Sequence, residues 1–324
     1  MTAAPPATII YVPGKNPKPP EEIHHRQLWQ CLHEGIRRVD PLLAAELARD
    51  PDDVLRLAPW NPLFYHTTRE PGPEQPWIER LLQRPRATDM DRGQAGNLIT
   101  LTRRWVLRIA NRFPRLARPL ASSEIRATLL EVDRYFSNRR NVGAHIRSVL
   151  RAELERAHRE GRRIAIIGHS LGSVIAWDTL WELSREMESP IKVDLFLTMG
   201  SPLGLRFIQR QLLGAHAPSP HKWPGNIRRW VNITAVGDMT ALDPTVANDF
   251  HAMLAHGLVE SIEDHRREVY TWYRDADGLN VHRAYGYLLH PATASTLALW
   301  WRQTGIAPGS GCNRIAQTRR GNSA

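Results

Sequence analysis

The chain of 324 residues is 42% apolar and 23% charged, and its formal net charge is +10. This composition excludes a disordered chain and supports the core of one large domain or two ordinary ones. No apolar run approaches the roughly 18 residues that span a membrane. Two cysteines, Cys31 and Cys312, are too few for a disulfide scaffold or a thiolate metal cluster. Because residues 1–14 lack a charged leader before their short apolar run, we expect a cytoplasmic protein.

The amino-terminal part of the chain predicts a strand, a long helix and a short second strand. Residues 8–12 are apolar and β-branched, which is typical of a buried strand, and the sequence 13–17 ends it in a turn. A helix is predicted over 21–39, with acidic residues in its first turn and arginines in its last. A strand candidate follows at 54–59, and the Pro- and Gly-rich stretch 61–94 predicts mostly irregular structure.

Positive charge is concentrated in the next part of the chain and in the tail. Residues 83–120 contain nine arginines and two acids, and the tail 305–324 adds three arginines, so these two segments account for the whole net charge. Residues 97–118 predict an amphipathic helix whose apolar face, with Trp105 and Phe113, runs beside a stripe of arginines. The tail is polar and contains glycine, and we expect it to be flexible.

From residue 141 onward, predicted helices and strands alternate. Helices are predicted over 141–159, 170–187, 203–213 and 291–303. Strands are predicted over 163–167, 192–199 and 230–236, with a candidate last strand at 268–273. This alternation favours an α/β fold with a mostly parallel sheet flanked by helices.

The pentapeptide Gly168-His169-Ser170-Leu171-Gly172 follows a predicted buried strand and opens an apolar helix. In that context the pattern G-x-S-x-G is typical of a nucleophile elbow. The turn is too tight for side chains at the two glycine positions, and it holds the serine in a strained conformation that exposes its hydroxyl. Ser170 is therefore the candidate nucleophile.

A serine nucleophile needs a base, and the base needs a carboxylate to orient it. In enzymes with this elbow, the acid and then the histidine follow the serine along the chain. Asp238 comes just after the predicted strand 230–236, at the same sheet edge as the elbow, and is our first choice for the acid. Asp243, just before Pro244, is the second choice, and Asp194 lies inside a strand and is interpreted as structural.

His282 is the preferred base. It follows the candidate last strand and a Gly-containing turn at 275–278, so its loop can reach over the elbow. His290, at the start of the closing helix, is the alternative. Three further histidines lie in a polar stretch that we predict to be helical and solvated: His251, His256 and His265.

The negative oxygen that forms during acyl transfer needs hydrogen-bond donors. One is the backbone N–H of Leu171, next to the nucleophile at the start of a helix. The other is expected from the loop after the first strand, where Gly14 permits close approach and Lys15 contributes its backbone N–H.

Taken together, these segments resemble bacterial α/β-hydrolases of the serine lipase and esterase type. Trp230 and Asn232 match the W-x-N that often precedes the acid in such families, and His282 and Tyr285 match the H-x-x-Y around the histidine. The matching segments are 9–16, 164–173, 197–203, 230–241 and 282–285.

The resemblance implies an α/β-hydrolase domain over 1–304, with a cap-like helical insertion at 61–140. Two departures from the family pattern are visible. Pro13-Gly14 stands where the family usually has His-Gly, and the chain starts almost directly with the strand that is usually third. The second departure implies a smaller sheet that keeps the site.

The predicted function is hydrolysis of small-molecule or lipid carboxylic esters through an acyl-enzyme, with no metal or organic cofactor. An acyltransferase or thioesterase with the same triad, or a non-catalytic membrane-surface binding protein with a vestigial site, are the alternatives. Segment 97–118 has two open interpretations: a lid over the elbow whose arginine stripe meets anionic lipid or an acidic substrate, or a helix packed on the core with a solvated basic flank. We expect no nucleic-acid partner, because Trp105 and Phe113 lie on the apolar face.

Overall fold

A computed structural model describes residues 6–70, 74–97, 131–186, 189–241 and 243–303. Its centre is a six-stranded sheet in the order β2-β1-β3-β4-β5-β6, in which every neighbouring pair is parallel. The strands are β1 (Ala7–Val12), β2 (Leu55–Leu57), β3 (Arg163–His169), β4 (Val193–Met199), β5 (Ile227–Ile233) and β6 (Ser261–His265). A short antiparallel hairpin joins β7 (Arg274–Asp275) to β8 (Gly278–Leu279).

Helices flank both faces of the sheet, which confirms the predicted α/β-hydrolase type of fold. They are α1 (Glu21–Val39), α2 (Pro41–Leu47), α3 (Pro51–Val54), α4 (Asn61–Tyr65), α5 (Gln75–Gln83), α6 (Asp89–Ala95), α7 (Val142–Arg159), α8 (Leu171–Arg185), α9 (Arg206–Gln209), α10 (His251–Ala255), α11 (Ala284–Leu289) and α12 (Pro291–Arg302). Residues 131–136 are also helical, and Arg139–Asn141 and Pro202–Gly204 form 3-10 turns.

The inner strands are buried on both faces, so their side chains alternate between two cores. Ile9 and Tyr11 of β1 pack in the core with α1, α11 and α12, whereas Ile10 and Val12 pack in the core with α7 and α8. Parallel strands that are covered on both faces have continuous apolar sequences. The first and third strands therefore lie where their apolar sequence predicts them.

Four strands end together at one edge of the sheet. Val12 of β1 pairs with Gly168 of β3, and Met199 of β4 pairs with His169 of β3 on one side and Ile233 of β5 on the other. Because ligands of open parallel sheets bind at the carboxyl ends of the strands, this edge is the expected place for a site.

The prediction of mostly irregular structure at 61–94 is wrong, because three helices form there. Prolines stand in the first turns of α4 and α5, where a missing N–H costs nothing. Thr88 caps α6 by accepting a hydrogen bond from the backbone of Asp91, whose side chain accepts one from the backbone of Thr88. The prolines that suggested irregular structure begin helices instead.

The carboxyl-terminal third also differs from expectation. The candidate strand at 268–273 is absent, and the last strand of the sheet is β6, in a stretch predicted to be helical. β6 is an edge strand with partly exposed side chains, so it lacks the apolar run that identifies an inner strand. β5 begins and ends three residues before the predicted 230–236. The predicted helix 203–213 is only a 3-10 turn followed by α9.

Two predicted segments lie outside the described residues: nearly all of the amphipathic helix 97–118, since 98–130 are not described, and the tail. In the parts of the chain that are described, no helix has both the length and the apolar character needed to cross a bilayer.

The contact between the elbow and β1 makes a testable prediction. A β carbon on Gly172 would lie 2.5 Å from the carbonyl oxygen of Pro13, so Gly172→Ala should lower the free energy of unfolding by about 1–3 kcal/mol. Gly93→Ala in α6 is the matched control, because nothing lies within 4 Å of its added methyl group. That variant should gain about 0.5–1 kcal/mol. Urea unfolding measures both, and equal effects would contradict the described contact.

Candidate active site

Ser170 lies in the turn between β3 and α8 with φ 52° and ψ −126°. A positive φ costs a non-glycine residue of order 1–3 kcal/mol unless its surroundings enforce it. Here the Ser170 N–H donates to the carbonyl of Met199 at 3.0 Å, and both the N–H and the hydroxyl of Ser173 donate to the Ser170 carbonyl. The strained elbow is therefore held by the end of β4 and the first turn of α8.

The loop after β1 runs alongside the serine. A β carbon on Gly14 would lie 3.0 Å from Cβ of Ser170, so only glycine allows this approach. The loop is fixed by two donors that the sequence analysis did not single out. Trp60 Nε1 donates to the carbonyl of Pro13 at 2.8 Å, and Asn61 Nδ2 donates to the carbonyl of Gly14 at 2.8 Å. Lys15, the next residue, is thereby positioned beside the elbow.

Asp238 and His282 form a hydrogen bond, with 2.8 Å between Oδ2 and Nδ1. The aspartate side chain is fully buried, and the histidine side chain is 26% exposed. Gly200, directly after β4, packs against both groups: a β carbon there would lie 2.7 Å from Oδ2 of Asp238 and 3.0 Å from Nδ1 of His282. Since Ser170 bonds to Met199, the residue before Gly200, the pair and the serine share one sheet edge.

Asp238 is stabilised as a carboxylate by three further donors. The Tyr287 hydroxyl donates to Oδ2 at 2.6 Å, and the backbone N–H groups of Thr240 and Ala241 donate to Oδ1 at 2.8 and 3.4 Å. Burial alone would raise the pKa of this carboxyl, but the charge of His282 and the hydrogen bonds from His282, Tyr287 and Thr240 hold it well below its usual range. An ionised Asp238 keeps the His282 proton on Nδ1, which leaves Nε2 to act as a base.

His169 supports the loop that carries His282. Burial and the charge of His282 lower the pKa of His169 to about 3, so its ring is neutral at physiological pH. Its Nε2 lies 2.8 Å from the carbonyl oxygen of His282, and the neutral ring donates through Nε2–H. The two imidazole centroids are 4.9 Å apart. The residue before Ser170, the candidate nucleophile, therefore fixes the backbone of the candidate base.

The structure places Ser170, Asp238 and His282 at one edge of the sheet. Within the described part of the chain, Ser170 Oγ and His282 Nε2 do not hydrogen-bond to each other; Nε2 lies 3.4 Å from the Thr240 hydroxyl. Such a bond commonly tightens only when substrate binds.

The alternative residues lie elsewhere. Asp243 accepts hydrogen bonds from Thr245, and Asp194 pairs with Arg163 at 3.4 Å. His290 caps α12 by accepting from the N–H of Ala292 at 3.1 Å. The remaining histidines are on α10, just after it and on β6: His251, His256 and His265.

The tyrosine that contacts Asp238 is Tyr287, which lies outside the H-x-x-Y pattern. The hydroxyl oxygen of Tyr285, in the H-x-x-Y pattern, lies 2.9 Å from Oε1 of Gln27 and 2.9 Å from Oε2 of Glu74, and its single proton is donated to one of them at a time. Tyr287, two residues further along α11, donates its hydroxyl proton to the carboxylate of Asp238. Sequence offers no signal for this choice, since both tyrosines are buried on the same short helix.

A family model described as "Putative serine esterase (DUF676)" matches residues 134–259. The matched segment contains Ser170 and Asp238, ends before His282 and covers less than half of the chain. No curated protein and no solved structure matches the chain. The family match and the parallel sheet with its flanking helices fit a serine hydrolase of the α/β-hydrolase type.

Tyr287→Phe tests the support of Asp238. The substitution removes the donor to Oδ2 and the acceptor of the Ala235 N–H, which now bonds to the tyrosine oxygen at 2.8 Å. We expect a loss of about 1–3 kcal/mol in the free energy of unfolding. The control is Tyr270→Phe, a partly buried ring under the Arg92 guanidinium at 5.4 Å, which should change stability by less than about 0.5 kcal/mol. Equal losses would refute this role of the Tyr287 hydroxyl.

The pKa of His169 predicts a pH dependence of stability. Because the folded value, about 3, lies below the unfolded value of 6.5, the unfolded chain binds more protons between these limits. Stability should therefore be full above pH 6.5 and fall as the pH decreases, by about 1.4 kcal/mol per unit for one such histidine. His169→Gln, which keeps a donor for the His282 carbonyl, should flatten this slope by about one proton. Urea unfolding between pH 5 and 6.5 measures it, and unchanged slopes would count against a neutral buried His169.

Proposed function

We propose that this protein is a serine hydrolase of the esterase or lipase type, with Ser170, His282 and Asp238 as its catalytic triad. The observation that carries the proposal is the 2.8 Å hydrogen bond between the buried Asp238 and His282, at the sheet edge that holds the strained Ser170. A buried carboxylate, a partly exposed imidazole and a serine in an elbow are the parts that nucleophilic acyl transfer requires. The family match supports the same class of enzyme.

The proposed reaction has two steps. Ser170 Oγ attacks the ester carbonyl while His282 Nε2 takes its proton, and the tetrahedral intermediate then collapses. His282 returns the proton to the departing alcohol, which leaves an acyl group on Ser170. Water attacks this acyl-enzyme while His282 takes its proton. The second tetrahedral intermediate then releases Ser170 Oγ, which takes this proton from His282, and the carboxylic acid leaves.

Asp238 orients the imidazole and stabilises the imidazolium that forms in each step. Its four hydrogen-bond donors favour the ionised form, so it remains a carboxylate throughout. His169 has a positioning role, because it holds the backbone carbonyl of His282 without contacting the reacting atoms.

The negative oxygen of the intermediate is assigned to two backbone donors, the N–H groups of Leu171 and Lys15. Leu171 is the first residue of α8, where unpaired N–H groups and the helix dipole favour negative charge. Lys15 follows Gly14, whose backbone passes against Ser170 and is anchored by Asn61. The rigidity of this loop supports the assignment, because such donors act best when they are preorganised.

Small-molecule or lipid esters are the proposed substrates. The described residues on either side of 98–130 lie near the site: Ala95 packs against Gly237, next to Asp238, and Glu131 pairs with Lys15 at 3.7 Å. The roles of segment 97–118 as a cap or as a contact with anionic membranes stay predictions, since the segment lies almost entirely outside the described residues.

Hydrolysis of p-nitrophenyl esters from short to long acyl chains tests the proposal. Ser170→Ala should lower kcat by at least about 10³-fold without loss of fold, because the nucleophile is removed and nothing replaces it. The matched control is Ser148→Ala on α7, whose hydroxyl donates to the carbonyl of His145; it should retain wild-type rates. Turnover that survives in Ser170→Ala would exclude this serine as the nucleophile.

Added alcohol separates hydrolysis from acyl transfer. In excess butanol a hydrolase should release mainly free acid, whereas an acyltransferase should form the butyl ester. Absence of turnover in a folded wild-type protein, together with salt-sensitive binding to anionic vesicles that persists in Ser170→Ala, would favour a membrane-surface binding protein instead.

A further inference from the structure

Three basic side chains gather beside the site, and we call Lys18, Arg69 and Arg283 the basic cluster. Lys18 lies in the loop that begins at Gly14, and its ammonium donates to the carbonyl of Lys15 at 2.7 Å. Arg69 donates its backbone N–H to the carbonyl of Lys18 at 2.8 Å. Arg283 is the residue directly after His282. Two loops of the proposed active site therefore each contribute a cation.

Among the described residues, Glu74 is the one acid that forms an ion pair with members of the basic cluster. Glu74, whose side chain is only 6% exposed, pairs through one oxygen with both Arg69, at 2.9 Å, and Arg283. Its second oxygen accepts the Tyr285 hydroxyl at 2.9 Å. The other nearby acid, Glu131, lies 3.7 Å from Lys15. One carboxylate thus serves two guanidinium groups, and the ammonium of Lys18 adds a further positive charge.

Buried donors next to Glu74 have no acceptor. Nε of Arg283 and Nε2 of Gln27 find no hydrogen-bond partner among the residues that the structure describes, and Gln27 is 1% exposed. Buried donors without acceptors are costly and are usually satisfied by water or a ligand. Directly around Glu74, two guanidinium groups share one carboxylate oxygen and two buried donors lack acceptors, which is an arrangement that an anion relieves.

The charges of the basic cluster act on one another and on the elbow. Burial and the charges of Arg283 and Arg69 lower the pKa of Lys18 to about 7, so that without a bound anion about half of the Lys18 side chains are uncharged at neutral pH. A bound anion would favour the charged form. The charge of Lys18 in turn contributes to the lowered pKa of His169, the residue before Ser170. Arg69 also lines an open cavity of about 470 Å³, together with Asn16, Pro17, Thr67 and Thr68.

We propose that the basic cluster binds a negatively charged group of the substrate, a carboxylate or a phosphate, so that the enzyme prefers anionic esters to neutral ones. The inference rests on the proposed ester hydrolysis. Lys18, Arg69 and Arg283 are binding residues in it, and none of them takes part in the bond changes. Arginine and lysine supply the charge-assisted hydrogen bonds that such groups accept.

Matched substrate pairs test the preference. One pair is mono-p-nitrophenyl adipate and p-nitrophenyl hexanoate, which have the same acyl length with and without a carboxylate. The other is dibutyryl phosphatidic acid and dibutyrylglycerol, which differ by a phosphate on the alcohol side. We expect kcat/KM for the anionic member to exceed that for the neutral member by about tenfold or more in at least one pair. The pair that shows it identifies the source of the charge.

Charge-removing variants connect the preference to the basic cluster. Lys18→Gln and Arg69→Gln should each reduce the anionic-to-neutral ratio of kcat/KM by about tenfold, and 0.5 M salt should reduce it in the wild type. Lys18→Arg, which keeps a cation at this position, should retain more of the ratio than Lys18→Gln does. Because the Arg69 side chain is 43% exposed, its variant tests the idea even if changes at Lys18 disturb folding.

Lys192→Gln is the matched control for Lys18→Gln. Lys192 also contacts a backbone carbonyl, that of Gly225 at 3.4 Å, but it precedes β4 at the opposite edge of the sheet. Its loss should leave the ratio unchanged.

Two results would count against the inference in different ways. If wild type hydrolyses the neutral esters as well as the anionic ones, and Ser170→Ala hydrolyses neither, the anion preference is wrong and ester hydrolysis stands. If wild type hydrolyses none of the four esters, the proposed function fails and the inference fails with it.

Discussion

The buried carboxylate of Asp238 is the group on which the site depends. A fully buried charge is stable only when it is paired and hydrogen-bonded, and the chain supplies those partners from separate elements. His282 comes from the loop before α11, Tyr287 from α11 itself, and the N–H groups of Thr240 and Ala241 from the turn after β5. Satisfying Asp238 therefore fixes how α11, the histidine loop and the end of β5 sit relative to one another.

At the same edge of the sheet, the backbone of Ser170 is strained, and close packing keeps it in that conformation. The positive φ of Ser170 is tolerated because Met199 and Ser173 bond its backbone on both sides. Gly14, Gly172 and Gly200 then let β1, α8 and β4 approach the serine and the Asp238–His282 pair more closely than any side chain permits. Packing that enforces one strained residue also fixes the positions of its neighbours, which is what a preorganised site requires.

Sequence predicted the parts of this protein that one local pattern specifies. The strands β1 and β3 are continuous apolar runs, and the helix α1 has acidic residues in its first turn and basic residues in its last. Ser170 lies in a motif whose preceding strand and following helix are both present. The sequence does not predict α5 and α6, because prolines and threonines such as Pro76 and Thr88 occur in loops as well as at the starts of helices. β6 was missed because an edge strand needs no apolar run. Tyr287 and Asn61 could not be identified, since their contacts with Asp238 and Gly14 join residues 49 and 47 positions apart.

The basic cluster and the histidine pair are linked through charge. Positive charge on Lys18, and on His282 when it is protonated, disfavours protonation of His169, and its neutral ring donates to the His282 carbonyl. An anion bound by Lys18 would partly cancel that charge and raise the pKa of His169, but the shift starts from about 3 and leaves the ring neutral near pH 7. The hydrogen bond from His169 to the His282 loop therefore withstands a change in the charge of its surroundings. The proposed anion binding and the proposed catalysis can consequently share one small region, because the pKa of His169, which couples them, lies far from neutral pH.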